Sequence, residues 1–547
     1  MTKVRRRLHR WQTQNRTARL ARLIAEKAPT SNGKRPVAFF NASTRIESLS
    51  LNAAFSLLTS WSLRLSGVPV MHFVCQAGLR PCVLGTNRKD YTQAPPCAAC
   101  LRQSSALFAG ASTFPFVYQE DPQLSAALAE CSIKELVSFE YYVQPIADPT
   151  YPFANPIPLG RLVLPSLRWA LRVHHLPDDE PTRYLFRQYI LSAYHLALEF
   201  NAFLAHVEPS VLVLFNGIMY PEATARWVAQ QHGLRVITHE VGFQRFSAFF
   251  TEGEATAYPL HIPDGFELTE TQNRRLDEYL ENRFQGNFTM AGIRFWPEMR
   301  PLDKALLQRI DAFRQVVPVF TNVVFDSSQV HANVVFPHMF AWLDLVLGTI
   351  RAHPETLFVI RAHPDEMRPG SDKKSRESVH DWIKRNGVDQ LPNVIFIDSR
   401  EYLSSYELIQ RAKFVMVYNS SIGLEAAVMG APVLCGGKAR YTQYPIVYFP
   451  STPEAYRQQA EEFLAADEIE VPAEFRQNAR RFLYYQFFRT SLPFSDLLQP
   501  GERPGFVEIR PVNWKKLLPE HSPIMRIITE GILNTTPPDA QPFYWRE

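Results

Sequence analysis

Hydrophobic positions along this 547-residue chain alternate between two patterns. Short apolar runs rich in β-branched residues read as buried strands, and stretches with apolar residues every three or four positions read as amphipathic helices. The pattern predicts a strand at 36–40, a loop from 41 to 44, a helix over 53–65 and a strand at 68–75. The region 76–160 is Pro-rich and gives no clear pattern. A long helix is expected over 182–207, then strands at 211–215 and 235–239. Helical signals at 269–284 and 303–313 bracket a segment containing Trp296 and Pro297.

The second half is cleaner. Strands are expected at 316–323, 356–362, 394–398, 414–418 and 432–434, with helices at 340–351, 405–411 and 422–429 between them. Strands alternating with helices imply a parallel, doubly wound sheet. The fold class is therefore α/β, with two Rossmann-like parallel-sheet domains facing a cleft and helices at the C-terminal end (453–466 and 472–487). The expected boundaries are a basic arm at 1–35, a first domain at 36–265 with a Cys-rich insertion, a bridging segment at 266–315, a second domain at 316–450, and helices with an aromatic tail at 451–547. In open α/β sheets ligands bind at the carboxyl ends of the strands, so the chemistry is expected there.

Composition narrows this picture. Hydrophobic residues make up 46% and charged residues 20%, a globular balance that excludes disorder over most of the length. The most apolar stretch, 51–75, carries Arg64 and many hydroxyls, so no membrane span is expected. The net charge of +4 is uneven: 1–35 holds eleven Lys or Arg against Glu26, or +10, leaving 4 − 10 = −6 for the rest. A mildly acidic body is not coated for nucleic acid. In the arm, Leu8, Trp11, Leu20, Leu23 and Ile24 interleave with arginines at helical spacing. Such a helix either lies on anionic lipid or is simply solvated. The arm has no apolar h-region and does not read as a secretory signal.

Six cysteines without an export signal point to a reducing, cytoplasmic compartment. Cys75, Cys82, Cys97 and Cys100 cluster as C-x6-C-x14-C-x2-C. Cys97-Ala-Ala-Cys100 has the spacing that lets two thiolates face one zinc ion, so the cluster reads as a structural zinc site or as four ordinary thiols in an irregular loop.

Candidate chemistry gathers at strand ends. Tyr418-Asn-Ser-Ser-Ile-Gly-Leu-Glu425 follows a strand and opens a helix. Asn419, Ser420 and Ser421 offer polar groups where the helix dipole favours a phosphate. Gly423 would let a ligand approach the backbone, and Glu425, one turn deeper, could accept from ribose hydroxyls. The same spacing equally describes an N-cap with Glu425 near a capping-box position. Arg361-Ala-His363-Pro364-Asp365-Glu366 ends another strand, because Pro364 cannot pair within a sheet. His363 at that tip could bond phosphate oxygens and stabilise a leaving group, although a lone His is more often structural. Thr321 and Asn322 end a third strand. In the first domain, Asn216-Gly217 and His239-Glu240-Val-Gly242 end two more, with Glu240 placed to act as a base toward an acceptor hydroxyl. Loop capping explains each of these equally well. Asp178-Asp179-Glu180 before the long helix reads as an N-terminal cap. No Walker loop and no Gly-x-Ser-x-Gly elbow occurs.

In order, Phe-Thr-Asn…Asp (320–326), Ile-Arg-Ala-His-Pro-Asp-Glu (360–366), Asn-Ser-Ser-Ile-Gly-Leu-Glu-Ala-Ala…Gly-Ala-Pro-Val and Gly436-Gly-Lys-Ala-Arg-Tyr441 resemble the capsule polysaccharide biosynthesis glycosyltransferases, which include Kdo transferases. The resemblance is strong over 316–450 and looser over 211–245. It implies the GT-B fold and transfer of a sugar from a nucleotide-activated donor, such as a CMP-sugar, to a saccharide or lipid-linked acceptor, with no cofactor needed for catalysis. It implies that His363 and the Ser420–Ser421 pair grip the donor phosphate, with Thr321, Asn322, Arg361, Asn419 and Gly423 at the same edge and Glu425 on the ribose. Asn216, Gly217, Glu240 and Gly242 would face the acceptor. A teichoic-acid type CDP-polyol phosphotransferase, and an inactive nucleotide-binding scaffold, are the rival readings. The basic arm suits peripheral association with the inner face of the plasma membrane.

Overall fold

The computed structural model describes residues 3–547 except 31–32, 42–47, 143–152, 154, 256–258, 285–296, 369–373 and 504, with the side chains of 3–7 also excluded. Trp296 and most of the loop expected at 41–44 therefore lie outside the described residues.

Two sheets carry the two lobes. The first runs in the spatial order Leu492–Pro493, Ser247–Glu252, Val236–Val241, Val211–Phe215, Val37–Asn41, Val70–Cys75 and Ser112–Phe116. Its last five strands are parallel, and Ser247–Glu252 pairs antiparallel at one side. The second sheet is wholly parallel: Val394–Ile397, Thr356–Arg361, Gln315–Phe320, Val415–Val417 and Val433–Cys435. Helices cover both faces of this sheet, which is why its strands read as unbroken apolar runs. Leu357, Phe358, Val359 and Ile360 are all fully buried in succession. The α/β, two-lobed GT-B architecture expected from the sequence is present.

Most elements lie within one or two residues of their expected positions, including Glu180–Val207, Val211–Phe215 and Ile422–Met429. Asp179 caps Glu180–Val207 by accepting from the Thr182 amide at 2.9 Å, while Asp178 and Glu180 pair with arginines of the same helix. The acidic triplet is thus accounted for by helix capping. Among its described residues, the Pro-rich region holds a helix at Cys97–Leu107 and the Ser112–Phe116 strand, and a helix at Leu159–Leu171 begins at its end. The C-terminal tail returns to the first lobe. Leu492–Pro493 extends its sheet, and Met525 and Ile528 of the Pro523–Leu533 helix pack among Phe55, Leu58 and Trp61.

Loops from the carboxyl ends of the two sheets touch. Arg440 of the second lobe lies 5.5 Å from the ring centres of Phe243 and Phe249 in the first. The Glu377 carboxylate accepts from the His174 and His175 amides at 2.7 and 2.9 Å. The N-terminal helix, Lys3–Lys27, buries Ala21 and Ile24 against the first lobe, and Glu508 receives His9 at 2.7 Å and Arg16 at 3.1 Å. Leu8 and Trp11 on the same helix are 53% and 60% exposed. No described helix is long and apolar enough to cross a membrane.

Several titratable groups are sealed in this core. Burial lowers His72 and His239 to about 3 and, helped by Arg168, does the same to His174. Burial raises Glu222 and Glu366 to about 8. Unfolded, these groups titrate near 6.5 and 4.5. Below pH 6.5 the imidazoles bind protons only when the chain unfolds, so their stabilisation is lost as pH falls. Above it, the two carboxyls keep protons only in the folded chain, so stability declines as pH climbs toward 8. Each group contributes up to about 1.4 kcal/mol per pH unit. The melting temperature is expected to peak near pH 6.5, with Glu366→Gln flattening the alkaline arm. A melting temperature that rises steadily from pH 6.5 to 8 would contradict this.

Candidate functional site

The carboxyl edge of the second sheet encloses a cavity of about 380 Å³. Six of the sequence-predicted residues line it together: Thr321, Arg361, His363, Ser420, Ser421 and Glu425. They come from three strand ends and one helix start that are far apart in sequence.

The Thr356–Arg361 strand delivers Arg361 and His363. Arg361 is only 4% exposed, and its Nη1 has no hydrogen-bond partner. Its Nη2 reaches only the Met299 sulfur, at 3.7 Å. Among the described residues no carboxylate pairs with it. Burial lowers its pKa to about 10, against the pull of Glu401, so the guanidinium keeps its charge at neutral pH. A buried cation of this kind is costly unless an anion arrives to balance it.

His363 accepts the Asp365 amide proton on Nδ1 at 3.1 Å. That bond leaves Nε2 as the protonated nitrogen of the neutral ring. Burial lowers the pKa, with Arg361 and Arg368 adding to it and Asp365 and Asp326 opposing. The ring is therefore a neutral N–H donor at physiological pH. Thr321 is committed locally, its hydroxyl donating to the Arg361 carbonyl at 3.0 Å.

Ser421 occupies the N-cap of the Ile422–Met429 helix with helical dihedrals, φ −60° and ψ −19°, and its side chain caps no amide. The capping-box alternative is thus not realised. Among the described residues neither the Ser420 nor the Ser421 hydroxyl has a protein partner, and both face the cavity at the positive end of the helix dipole. Gly423 serves a different need from the one expected. A Cβ there would fall 2.4 Å from the Tyr441 hydroxyl, which donates to the Ser420 carbonyl at 2.7 Å. The space is taken by a tyrosine that holds the turn.

Glu425 lines the cavity with both carboxylate oxygens already engaged. Arg283 Nη2 donates at 2.6 Å and the Tyr406 hydroxyl at 2.5 Å. Burial alone would lower Arg283, yet Glu425 holds it well above its ordinary value. Asn322 and Asn419 do not line the cavity; Asn322 Nδ2 donates to Asn419 Oδ1 at 2.7 Å, and Gln329 Nε2 donates to the same oxygen at 3.0 Å.

The first-lobe candidates form a second group. Glu240 accepts from Asn216 Nδ2 at 2.7 Å, from Asn52 Nδ2 at 2.8 Å and from the Val241 amide at 2.8 Å. Asn216 and Gly217 both take positive φ, 56° and 83°, in the turn that follows the Val211–Phe215 strand. Gly242 is required because a Cβ would sit 2.4 Å from Ser247 Oγ. None of the four lines the second-lobe cavity. The four clustered cysteines line a separate, small cavity in the first lobe.

Sequence reasoning missed Arg283 and Tyr406 and quoted Tyr441 in a motif without giving it a role; all three roles depend on contacts, across 142, 19 and 21 residues. Ser404 and Ser405 were within reach, since a Ser pair before a short helix is a start signal; both line the cavity, and Ser404 caps that helix.

Removing one partner of a buried ion pair strands the other charge. Glu425→Ala is expected to lower unfolding free energy by ~3–5 kcal/mol in a urea titration. A loss below about 1 kcal/mol, the range of an exposed pair, would show that Arg283 does not depend on it.

Residues 297–460 match the model of a family described as capsule polysaccharide biosynthesis protein. No functionally curated protein matches the chain. Among solved structures, the β-Kdo 2,4-transferase of Thermosulfurimonas dismutans KpsC is 13% identical, with 52% of this chain and 80% of that one covered and a TM-score of 0.33. The β-Kdo 2,7-transferase of the same protein is 14% identical over 57% and 85%, with a TM-score of 0.30. UDP-GlcNAc 2-epimerase from Neisseria meningitidis is 12% identical over 82% and 98%, with a TM-score of 0.23. The resemblance to the capsule polysaccharide biosynthesis family is borne out over residues 297–460, the segment that supplies every cavity-lining residue except Phe284.

Proposed function

We propose that this chain is a glycosyltransferase of capsule-type polysaccharide assembly that moves a sugar from a nucleotide-activated donor to a saccharide or lipid-linked acceptor. The observation that carries the reading is that one cavity is lined by the buried Arg361 guanidinium, with Nη1 unbonded and no carboxylate paired to it among the described residues, by the His363 ring and by two serine hydroxyls with no partner among those residues. As the bond between the anomeric carbon and the phosphate oxygen breaks, negative charge gathers on the phosphate. A fixed cation, an Nε2–H donor and a helix N-terminus aimed at one place stabilise that charge without reorganising. One guanidinium suits a single phosphodiester, the linkage of a CMP-sugar. Phe284 and Tyr406, with ring centres 4.7 Å apart, supply an aromatic edge of the cavity on which a base could rest. In this reading no cofactor is needed, because the positive charge comes from the protein.

Glu240, held by three donors, is the base proposed for the acceptor hydroxyl, and closure of the lobes would bring it to the donor while excluding water. The exposed Leu8 and Trp11 of the basic N-terminal helix support peripheral contact with anionic lipid on the cytoplasmic face, where lipid-linked acceptors lie. Six cysteines, none of them in a disulfide, fit that compartment.

A melting screen with CMP, CDP, UDP and GDP tests donor class. The cognate nucleotide at a hundred times its Kd should stabilise by ~2.7 kcal/mol, while no shift with any of them would remove the nucleotide-sugar reading. With that donor, His363→Ala should lower kcat by about 10²–10³, the effect of losing one oxyanion-type donor. Unchanged turnover in a folded variant would take His363 out of the reaction. Release of a polyol phosphate adduct in place of a glycoside would assign the phosphotransferase reading, and tight binding without turnover the scaffold. Co-sedimentation with vesicles containing anionic lipid should weaken on Trp11→Ala and vanish at high salt; equal sedimentation with neutral vesicles would contradict the membrane assignment.

A further inference from the structure

We propose that Cys75, Cys82, Cys97 and Cys100 form a structural zinc site that fastens the 76–96 loop to the carboxyl edge of the first sheet. All four line one small cavity of about 30 Å³, closed by Leu79, Leu84 and the two prolines Pro95 and Pro96. That is room for an ion and not for a substrate.

The surrounding backbone is shaped for thiolates. The amide of Gly78 donates to Cys75 Sγ at 3.2 Å, and the amide of Gly85 donates to Cys82 Sγ at 3.1 Å. The spacing Cys-x-x-Gly occurs twice, Cys75-Gln-Ala-Gly78 and Cys82-Val-Leu-Gly85, and in each the glycine N–H points at the sulfur three residues back. Neither glycine can be replaced without collision. A Cβ on Gly85 would lie 2.9 Å from Cys82 Sγ and 2.6 Å from Pro95, and one on Gly78 would lie 2.3 Å from the Phe116 ring. Cys97 and Cys100 sit in the first turn of the Cys97–Leu107 helix, where the dipole favours negative sulfur. Around a tetrathiolate these N–H donors and the helix start would offset part of its charge.

The four ligands come from three places: the end of the Val70–Cys75 strand, the loop after it, and the helix that leads to the Ser112–Phe116 strand. One ion would therefore tie the loop at both ends. The loop is pinned elsewhere by Tyr220, whose hydroxyl donates to the Pro81 carbonyl at 2.5 Å, and by Thr86 with Tyr189 at 2.8 Å. Among the described residues no group of three metal-binding side chains stands ready-made around a metal position. Binding must draw the sulfurs inward by side-chain rotation, with each thiol giving up its proton, so that four protons leave per zinc bound.

The test is metal analysis of the full-length protein purified under reducing conditions, with cobalt exchange on the same material. One zinc per chain is expected. Cobalt should give the intense thiolate charge-transfer band and the visible bands of a tetrahedral site. Cys97→Ser combined with Cys100→Ser should lose the metal, while Cys131→Ser, outside the cluster, should keep it. Should the double variant fail to fold, the cobalt spectrum of the unaltered protein still decides. Less than about a tenth of an equivalent of zinc after zinc-supplemented growth, an octahedral cobalt spectrum, metal retained by the double variant, or two disulfides by thiol titration would each overturn the assignment.

Discussion

A buried guanidinium that no carboxylate pairs with among the described residues constrains the second lobe more than any other feature. Arg361 sits 4% exposed at a strand tip with one donor nitrogen empty, where the medium is too apolar to solvate it as water would. The local chain does not neutralise it: Asp365, nearby in sequence, is committed to Arg368 and to its own amide contact with His363. Glu401 acts on it only at a distance, and the cavity wall sets the His363 ring and the Ser420 and Ser421 hydroxyls alongside the carboxylates of Glu298, Glu407 and Glu425. On the proposed reading, the anion this guanidinium receives is the phosphate of an activated sugar, whose charge grows during reaction.

The rest of the site is scaffolding for that positive charge. Glu425 carries the opposite charge within the same cavity wall, and would cancel it if free. Arg283 and Tyr406 occupy both of its oxygens and thereby confine its field. The same ion pair anchors the Glu270–Phe284 helix, from the bridging segment, to the helix that begins at Ile422. Glu240 in the first lobe is constrained likewise, with Asn52 and Asn216 fixing its oxygens. In both lobes a carboxylate at the sheet edge is oriented by amides, hydroxyls or a guanidinium drawn from distant parts of the chain.

The strands of the second lobe were legible because a parallel sheet covered on both faces needs runs such as Leu357–Ile360, which are short and rich in β-branched residues here. The positions of His363 and Ser420–Ser421 followed, since Pro364 and the Ser-Ser pair punctuate the ends of those runs. Ser112–Phe116 was not legible: it is an edge strand, half exposed and containing Pro115. Ser247–Glu252 pairs antiparallel where alternation of α and β led us to expect only parallel strands. Residue roles were harder to read than residue places. Gly423 looked like an opening for a ligand, but the space belongs to Tyr441, a fact carried by a contact and not by spacing.

The most direct measurement compares calorimetric binding of CMP with that of cytidine, which lacks the phosphate, to the unaltered chain and to Arg361→Met. If the cavity is an anion seat, the phosphate should raise affinity by about 100-fold or more, the worth of one or two charge-assisted hydrogen bonds, and most of that gain should vanish in the variant. Equal affinities for CMP and cytidine, or a phosphate gain that survives loss of Arg361, would contradict the account.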